Sequence, residues 1–190
     1  MFFKKIKISK SIDQIFYFIF MTLLGSCGLH HQNFEKKTEL IGAFGFHFGA
    51  KVQGYEIKSE EEELMIVEPT VIPRPNSLIE RYALKLDRKT KRISEIIGLN
   101  HSFQQRQCLQ AKKELVTRIK ERYNFEKTES LEDLEFRPKK SVFYGESANK
   151  FGVVIGCLMN IGFVYSNSDT LLIIRYFAPS AKNSMQLLSQ

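Results

Sequence analysis

One amphipathic segment near the middle of this 190-residue chain constrains the fold more than any other feature. Most of its charged residues, Lys113 and Glu121 among them, fall away from one apolar face. The residues of that face recur at steps of three and four positions, as on an α-helix: Cys108, Ala111, Leu115, Ile119 and Tyr123. We predict a long helix over about 103–123, whose apolar face must be covered by another layer.

Both ends of the predicted helix carry sequence signals. Ser102 and Gln105 have the S-x-x-Q spacing of a capping box, in which each side chain bonds the other residue's backbone. Asn124 follows the last apolar residue, and asparagine tolerates the left-handed conformation that ends many helices. We therefore predict that Ser102 caps the first turn and that Asn124 ends the last one.

Strand-like segments lie on both sides of this helix. Residues 42–54 place phenylalanines at alternate positions, which predicts a strand with one aromatic face, and residues 79–98 predict a hairpin around "DRKTK". After residues 126–140, predicted as a polar linker, the runs "SVFYG", "KFGVVIGCLMNIGFVY" and "TLLIIRYFA" are strand-like again. The order predicts an α+β domain: a mainly antiparallel sheet with the helix packed on one face.

Three polar stretches predict turns. Asp87 begins the "DRKTK" turn, where its carboxylate can accept hydrogen bonds from the following amides. The four glutamates of "SEEEEL" lack the spaced oxygens and the glycine of a calcium loop, so we predict a solvated turn there. The composition of "SNSD" at 166–169 predicts a turn between the last two strands.

The first 26 residues have the layout of a secretory signal, with a basic start followed by the apolar run "IFYFIFMTLL" at 15–24. A helix of ten residues rises about 15 Å, whereas the hydrocarbon core of a bilayer is about 30 Å thick. The run is therefore too short for a stable transmembrane anchor. We predict a leader that is removed on export.

The segment "LGSC" at 24–27 resembles the bacterial lipobox, in which an aliphatic residue and two small residues precede a cysteine. The resemblance implies that signal peptidase II cleaves before Cys27 and that the thiol of Cys27 carries diacylglycerol. The mature protein would then be a membrane lipoprotein with a palmitate-type anchor. Ordinary signal cleavage and an uncleaved or intracellular segment are the alternatives.

The lipobox resemblance also implies a location and a division of the chain. Gly28 stands where lipoproteins retained at the inner membrane of many Gram-negative bacteria carry Asp, which favours the outer membrane, facing the periplasm. His30 and His31 are expected to bind no metal, because no other ligand is near them in sequence. The segments we expect are a signal peptide at 1–26, a lipidated N-terminus and tether at 27–40, a single α+β domain at 41–178 and a polar tail at 179–190.

Two cysteines are left if Cys27 carries lipid. Cys108 lies on the inner face of the predicted helix and Cys157 ends the apolar run "FGVVIGC", so both can point into the same layer. An oxidising compartment then favours a disulfide between them, and two buried free thiols are the alternative. Their spacing is not the C-x-x-C of a redox catalyst or a zinc ribbon.

The formal charge of +7 gives little support to a nucleic-acid partner. Removal of residues 1–26 leaves 24 basic and 20 acidic residues, or +4. No basic segment carries the interleaved aromatic residues that base stacking needs. We predict no nucleic acid among its partners.

The body of the chain resembles a loosely defined group of small exported bacterial proteins of unknown function. The likeness covers roughly residues 44–123, from "FGFHFG" through "VEPTVIPRPNSLIERYALKLDRKTKRISEI" to a helix that ends in "KERYN". Such proteins often show a Lys-Tyr-Gly ending, where this chain has Asn124. The group has no assigned chemistry, so the resemblance implies no functional residue.

No catalytic or cofactor motif is present: the chain lacks a nucleophile elbow, a phosphate loop, a zinc helix and a dinucleotide fingerprint. We predict no catalytic residue, cofactor or metal. Two function classes stay open. The favoured one is a non-enzymatic, membrane-anchored envelope lipoprotein that binds or supports another envelope component, and the alternative is a periplasmic hydrolase or small-ligand-binding protein whose site is assembled from distant residues.

Overall fold

The computed structural model describes residues 37–133, 139–159 and 170–179. Cys27, the predicted leader, the pair His30 and His31, the turn predicted at 166–169 and the tail from residue 180 lie outside these ranges. Within them the chain forms an eight-stranded antiparallel sheet, a two-stranded hairpin and one helix that packs on the sheet. This is the predicted α+β class.

Two four-stranded meanders form the large sheet, one on each side of the helix in sequence. They join along β6 and β10, so that the strand order is β3-β4-β5-β6-β10-β9-β8-β7. The first meander comprises β3 (Tyr55–Glu60), β4 (Leu64–Pro69), β5 (Arg81–Asp87) and β6 (Ile93–Asn100). The second comprises β7 (Lys127–Asp133), β8 (Lys139–Glu146), β9 (Gly152–Met159) and β10 (Thr170–Phe177).

Helix α1 covers Gln105–Arg122, 18 residues rather than the longer helix predicted. The predicted cap is wrong, because Gln104 precedes the helix and its N–H donates to Oε1 of Gln107 at 3.0 Å, while the Ser102 hydroxyl donates to Glu80. The predicted left-handed stop is also wrong. The chain leaves the helix through Tyr123 in an extended conformation, φ −118° and ψ 148°, and Asn124 has no positive φ.

The main core lies between α1 and the sheet. The predicted apolar face of the helix is buried, and it packs chiefly on β9 and β10. Opposite it, Ile155, Leu172 and Ile174 are fully buried, and full burial of each such side chain is worth about 1.5–3 kcal/mol. No helix within the described ranges is both long enough and apolar enough to cross a membrane.

The single strand predicted at residues 42–54 is wrong, because residues 42–47 form a tight hairpin and residues 48–54 lie outside any strand. β1 (Gly42–Ala43) pairs with β2 (Phe46–His47), and Phe44 and Gly45 make the turn with φ of 53° and 83°. Positive φ at both central residues is the geometry that fits two-residue hairpins. Gly45 is required there for a second reason, since a Cβ on it would lie 2.6 Å from Cβ of Pro73.

The other predicted turns and linker have mixed outcomes. The hairpin of β5 and β6 is present, and Oδ1 of Asp87 accepts hydrogen bonds from the N–H of Thr90 at 2.6 Å and from its hydroxyl at 2.7 Å. The glutamates at 61–63 form the exposed turn between β3 and β4. The polar linker predicted at 126–140 is wrong, because most of it forms the edge strand β7 and the start of β8.

Candidate functional site: a cleft at the C-terminal half of helix α1

A cleft of about 710 Å³ opens beside the last turns of α1. Its walls come from three parts of the chain that are distant in sequence: the hairpin β1–β2 with the residues before it, the proline-rich loop at 70–80 between β4 and β5, and the helix. Tyr176 of β10 lies in the lining as well. Pockets of 300–1,000 Å³ are the usual size for small-molecule sites, so this volume is sufficient for one.

The floor of the cleft is apolar and aromatic. Leu115 and Ile119 contribute it from the helix, where they are one turn apart, and Tyr123 continues the same face. The ring of Phe44 packs edge-on against Tyr176, with centroids 5.7 Å apart. These side chains are mostly buried and serve the core and the cleft together.

Backbone contacts fix the cleft walls to one another. The N–H of Thr38 donates to the carbonyl of Arg122 at 2.9 Å, which ties the start of the described chain to the end of the helix. The N–H of Arg74 donates to the carbonyl of Phe44 at 3.0 Å, which ties the proline-rich loop to the hairpin. The cleft is therefore a built feature of the fold rather than a gap between independent loops.

Phe44 holds an unfavourable backbone conformation at the cleft. A positive φ is rare for a bulky residue, and strained conformations persist only where the surroundings enforce them. Here the contacts of the Phe44 ring with Tyr176 and with Tyr82, whose centroid is 5.0 Å away, enforce it. Strain of this kind concentrates at functional sites, which makes the cleft the leading candidate.

Cationic side chains surround the apolar floor. Arg74, Arg118 and Arg122 line the cleft, against one carboxylate, Glu39. Arg118 pairs with Glu114 one turn earlier on the exposed helix surface. Within the described ranges neither Arg74 nor Arg122 has an acidic partner, and Arg122 lies over the ring of Tyr123, 5.4 Å from its centroid. The cleft therefore carries an excess of positive charge.

Two phenols face this positive charge. Burial raises the pKa of Tyr123, and the Arg122 guanidinium acts in the opposite direction. Burial also raises the pKa of the fully buried Tyr176, with a further increase from Tyr123 and a decrease from Arg122. Both phenols are therefore neutral at neutral pH and add no negative charge to the cleft.

Of the site residues predicted from sequence, Cys27 is outside the described ranges, and Cys108 and Cys157 lie away from the cleft. The structure joins the sulfurs of Cys108 and Cys157, the predicted pair, with Cα atoms 6.0 Å apart, at the opposite end of α1 from the cleft. His47 is exposed and lines the cleft. In the described part of the chain no cluster of three or more His, Cys, Asp or Glu could hold a metal ion.

Lys112 is an exception to the predicted polar face of α1. It is only 8% exposed, and its Nζ donates to Oγ of Ser141 at 2.5 Å. Burial lowers the pKa of the Lys112 ammonium, and the carboxylate of Glu132, 4.0 Å away, acts in the opposite direction. Ser141 is 1% exposed, so a substrate has no access to its hydroxyl. The Ser141 hydroxyl therefore serves to accept a hydrogen bond from the buried Lys112 ammonium.

A second buried charge cluster lies on the sheet. Glu95 is 1% exposed; its carboxylate accepts a hydrogen bond from Nε of Arg175, and Nζ of Lys85 lies 3.3 Å from Oε2. Two cations thus compensate one buried carboxylate. Oε2 accepts no hydrogen bond, so the compensation at that oxygen is electrostatic, and at 1% exposure the carboxylate is not accessible to a ligand.

The sequence did not predict the cleft residues as a group. Arg118 and Arg122 stand one turn apart and flank the apolar face of the helix. Charged residues flank the apolar face of most surface helices, so this spacing does not indicate a site. Arg74 and Tyr176 have no local signal at all, because the fold brings them together from positions about a hundred residues apart. A comparison with models of known protein families, with curated proteins and with solved structures found no match to this chain.

Proposed function

We propose that this protein is a non-enzymatic envelope lipoprotein, anchored through lipid on Cys27, whose cleft binds a small envelope component. The observation that carries the binding role is the cleft itself, with its apolar floor, three arginines and strained Phe44. The lipobox resemblance of "LGSC" carries the anchor and the outer-membrane location facing the periplasm. The disulfide of Cys108 and Cys157 is in keeping with an oxidising compartment.

The anchor would keep the cleft close to the membrane. Thr38, which lines the cleft, follows Cys27 by 11 positions. A fully extended chain of that length spans at most about 40 Å. A lipid on Cys27 would therefore hold Thr38 within about 40 Å of the membrane surface.

Replacement of Cys27 tests the anchor. We expect Cys27→Ser to abolish incorporation of radiolabelled palmitate in cells and to move the protein from the membrane fraction to the soluble one. Cys157→Ser is the matched cysteine control, and it should keep the label and the membrane fraction. Unchanged labelling and fractionation of Cys27→Ser would overturn the anchor.

Protection of an introduced thiol tests the cleft. Ile41 lines the cleft and is 51% exposed, whereas Ile57 is 50% exposed on β3, outside the lining. The variants Ile41→Cys and Ile57→Cys would be alkylated with and without the neutral fluorophore N-phenyl-1-naphthylamine, and labelling followed by peptide mass. At ten times its Kd the probe should slow labelling at position 41 by about tenfold and leave position 57 unchanged. Equal rates at position 41 with and without the probe would reject binding in the cleft.

A further inference from the structure

The cleft lining indicates which chemical class it selects. Two of its uncharged polar groups are already engaged within the protein: Oδ1 of Asn76 accepts from the N–H of Leu78 at 2.9 Å, and the Thr38 hydroxyl bonds the carbonyl of Arg122. A sugar or a nucleobase needs several such groups to pair its hydroxyls or ring edges. The rest of the lining is mostly apolar side chains and arginines, with the phenols of Tyr123 and Tyr176 among them.

Three arginines line the same cleft and could share one anionic head group. Arg118 and Arg122 are one turn apart on α1 and border the apolar floor formed by Leu115 and Ile119. Arg74 lines the same cleft from the proline-rich loop. Guanidinium binds carboxylate and phosphate through paired N–H donors, which makes arginine the usual residue for recognising either group.

We propose that the cleft binds a single-chain anionic amphiphile, with its carboxylate or phosphate head at Arg74, Arg118 and Arg122 and its apolar body on the floor. This proposal rests on the proposed function, since it names the ligand class of the same cleft. The Arg118–Glu114 pair is exposed and worth little by itself, so the Arg118 guanidinium is free to turn towards a head group. Two kinds of molecule combine one apolar chain with such a head group: a fatty acid, which has a carboxylate, and a lysophospholipid, which has a phosphate.

Two fluorophores with one aromatic body separate charge recognition from apolar binding. N-phenyl-1-naphthylamine is neutral, and 8-anilinonaphthalene-1-sulfonate adds an anionic sulfonate to the same rings. We expect the wild-type full chain to bind the anionic probe at least about tenfold more tightly, because a charge-assisted hydrogen bond contributes this much. Equal affinities would overturn the ligand class and leave the cleft function intact, whereas absence of binding by both probes would overturn the cleft function itself.

Matched arginine variants assign the preference to the cleft. The side chains of Arg118 and Arg81 are equally exposed, at 58%, and each pairs with a surface glutamate, but Arg81 lies on β5 outside the cleft. Arg118→Gln and Arg122→Gln should each lower the affinity for the anionic probe about tenfold and leave the affinity for the neutral probe unchanged. Arg81→Gln should change neither. An equal loss of anionic-probe affinity in Arg81→Gln would overturn the proposal, since only the overall charge would then matter.

Competition with single-chain amphiphiles identifies the head group. Dodecanoate and dodecyl phosphate would displace the anionic probe below their micelle concentrations, and the tighter competitor assigns the carboxylate or the phosphate source. Dodecyltrimethylammonium has the same chain and the opposite charge, and should compete at least about tenfold less well. Competition by the cation that equals that of the anions would overturn the proposal.

Discussion

The two ends of helix α1 are held by different interactions. At its N-terminal half the Cys108–Cys157 disulfide fixes the helix to β9, and the bond from Lys112 to Ser141 fixes it to β8. At its C-terminal half the helix instead borders an open cleft and places Arg118 and Arg122 beside it. A covalent bond at one end allows a cavity at the other, because the helix does not depend on close packing along its whole length to stay in place.

Removal of the disulfide should have the largest effect. The bridge joins residues 49 positions apart, and the loss of chain entropy in the unfolded state is then worth about 4 kcal/mol. We expect the double variant Cys108→Ser/Cys157→Ser to lose about this free energy of unfolding in urea.

Arg122→Gln at the cleft end serves as the control, and it should change stability by less than about 0.5 kcal/mol. If the double variant is as stable as the wild type, the disulfide at the N-terminal half of α1 does not stabilise the helix beside the cleft. Mass mapping of unreduced peptides would first establish the bridge in the purified protein.

Removal of the buried hydrogen bond from Lys112 to Ser141, at the N-terminal half of α1, should have a smaller effect on stability. The size of the effect should depend on which of the two residues is replaced. Ser141→Ala leaves the ammonium of Lys112 without its hydroxyl partner, which costs about 1–3 kcal/mol. Lys112→Met removes the buried charge together with its desolvation cost, so it should be neutral or stabilising. The double variant should then recover most of the loss caused by Ser141→Ala, as measured by a double-mutant cycle in urea. If Lys112→Met is more destabilising than Ser141→Ala, the buried ammonium makes a net stabilising contribution, contrary to this prediction.

The smallest effect should appear at the cleft end and only in alkali. Since the pKa of Tyr176 is raised above its ordinary value of 10.0, the folded protein keeps a proton that the unfolded chain releases. Stability should therefore be unaffected below pH 9 and should fall as the pH rises through 10, by up to about 1 kcal/mol per pH unit. Tyr176→Phe should flatten this slope in urea titrations between pH 8.5 and 11, with the values below pH 9 as the internal reference. An unchanged slope would mean that other groups control the alkaline limb.

The sequence predicted the fold class and the apolar face of the helix, because both depend on local periodicity. It also predicted the pairing of Cys108 and Cys157, on the premise that Cys27 carries lipid and leaves only these two cysteines for a bridge. β7 was missed because all of its described side chains are exposed, so no apolar alternation marks it. Phe44 was wrongly assigned to a single strand, because alternating aromatic residues fit a strand and a tight hairpin equally well. The positive φ of Gly45, which distinguishes the two, is seen only in the structure.

The candidate site was harder to predict than the fold. The aliphatic stem of a lysine can be buried as easily as it can lie on the surface, so the pattern did not distinguish Lys112 from its charged neighbours. The cleft depends on contacts between residues as distant as Thr38 and Tyr176. Such contacts are set by the pairing order of the strands, and no short-range motif encodes them.

The junction between the two meanders has a consequence for how fast the protein folds. Leu84 pairs with Ile96 across the hairpin of β5 and β6, a separation of 12 positions, whereas Leu99 of β6 pairs with Ile173 of β10, a separation of 74 positions. Contacts that are distant in sequence form slowly, because much of the chain must be ordered before they add stability. We expect each meander to form its hairpins early and the β6–β10 seam to limit the rate. The cleft combines Tyr176 of β10 with residues from the first half of the chain. It would therefore be among the last parts of the molecule to form.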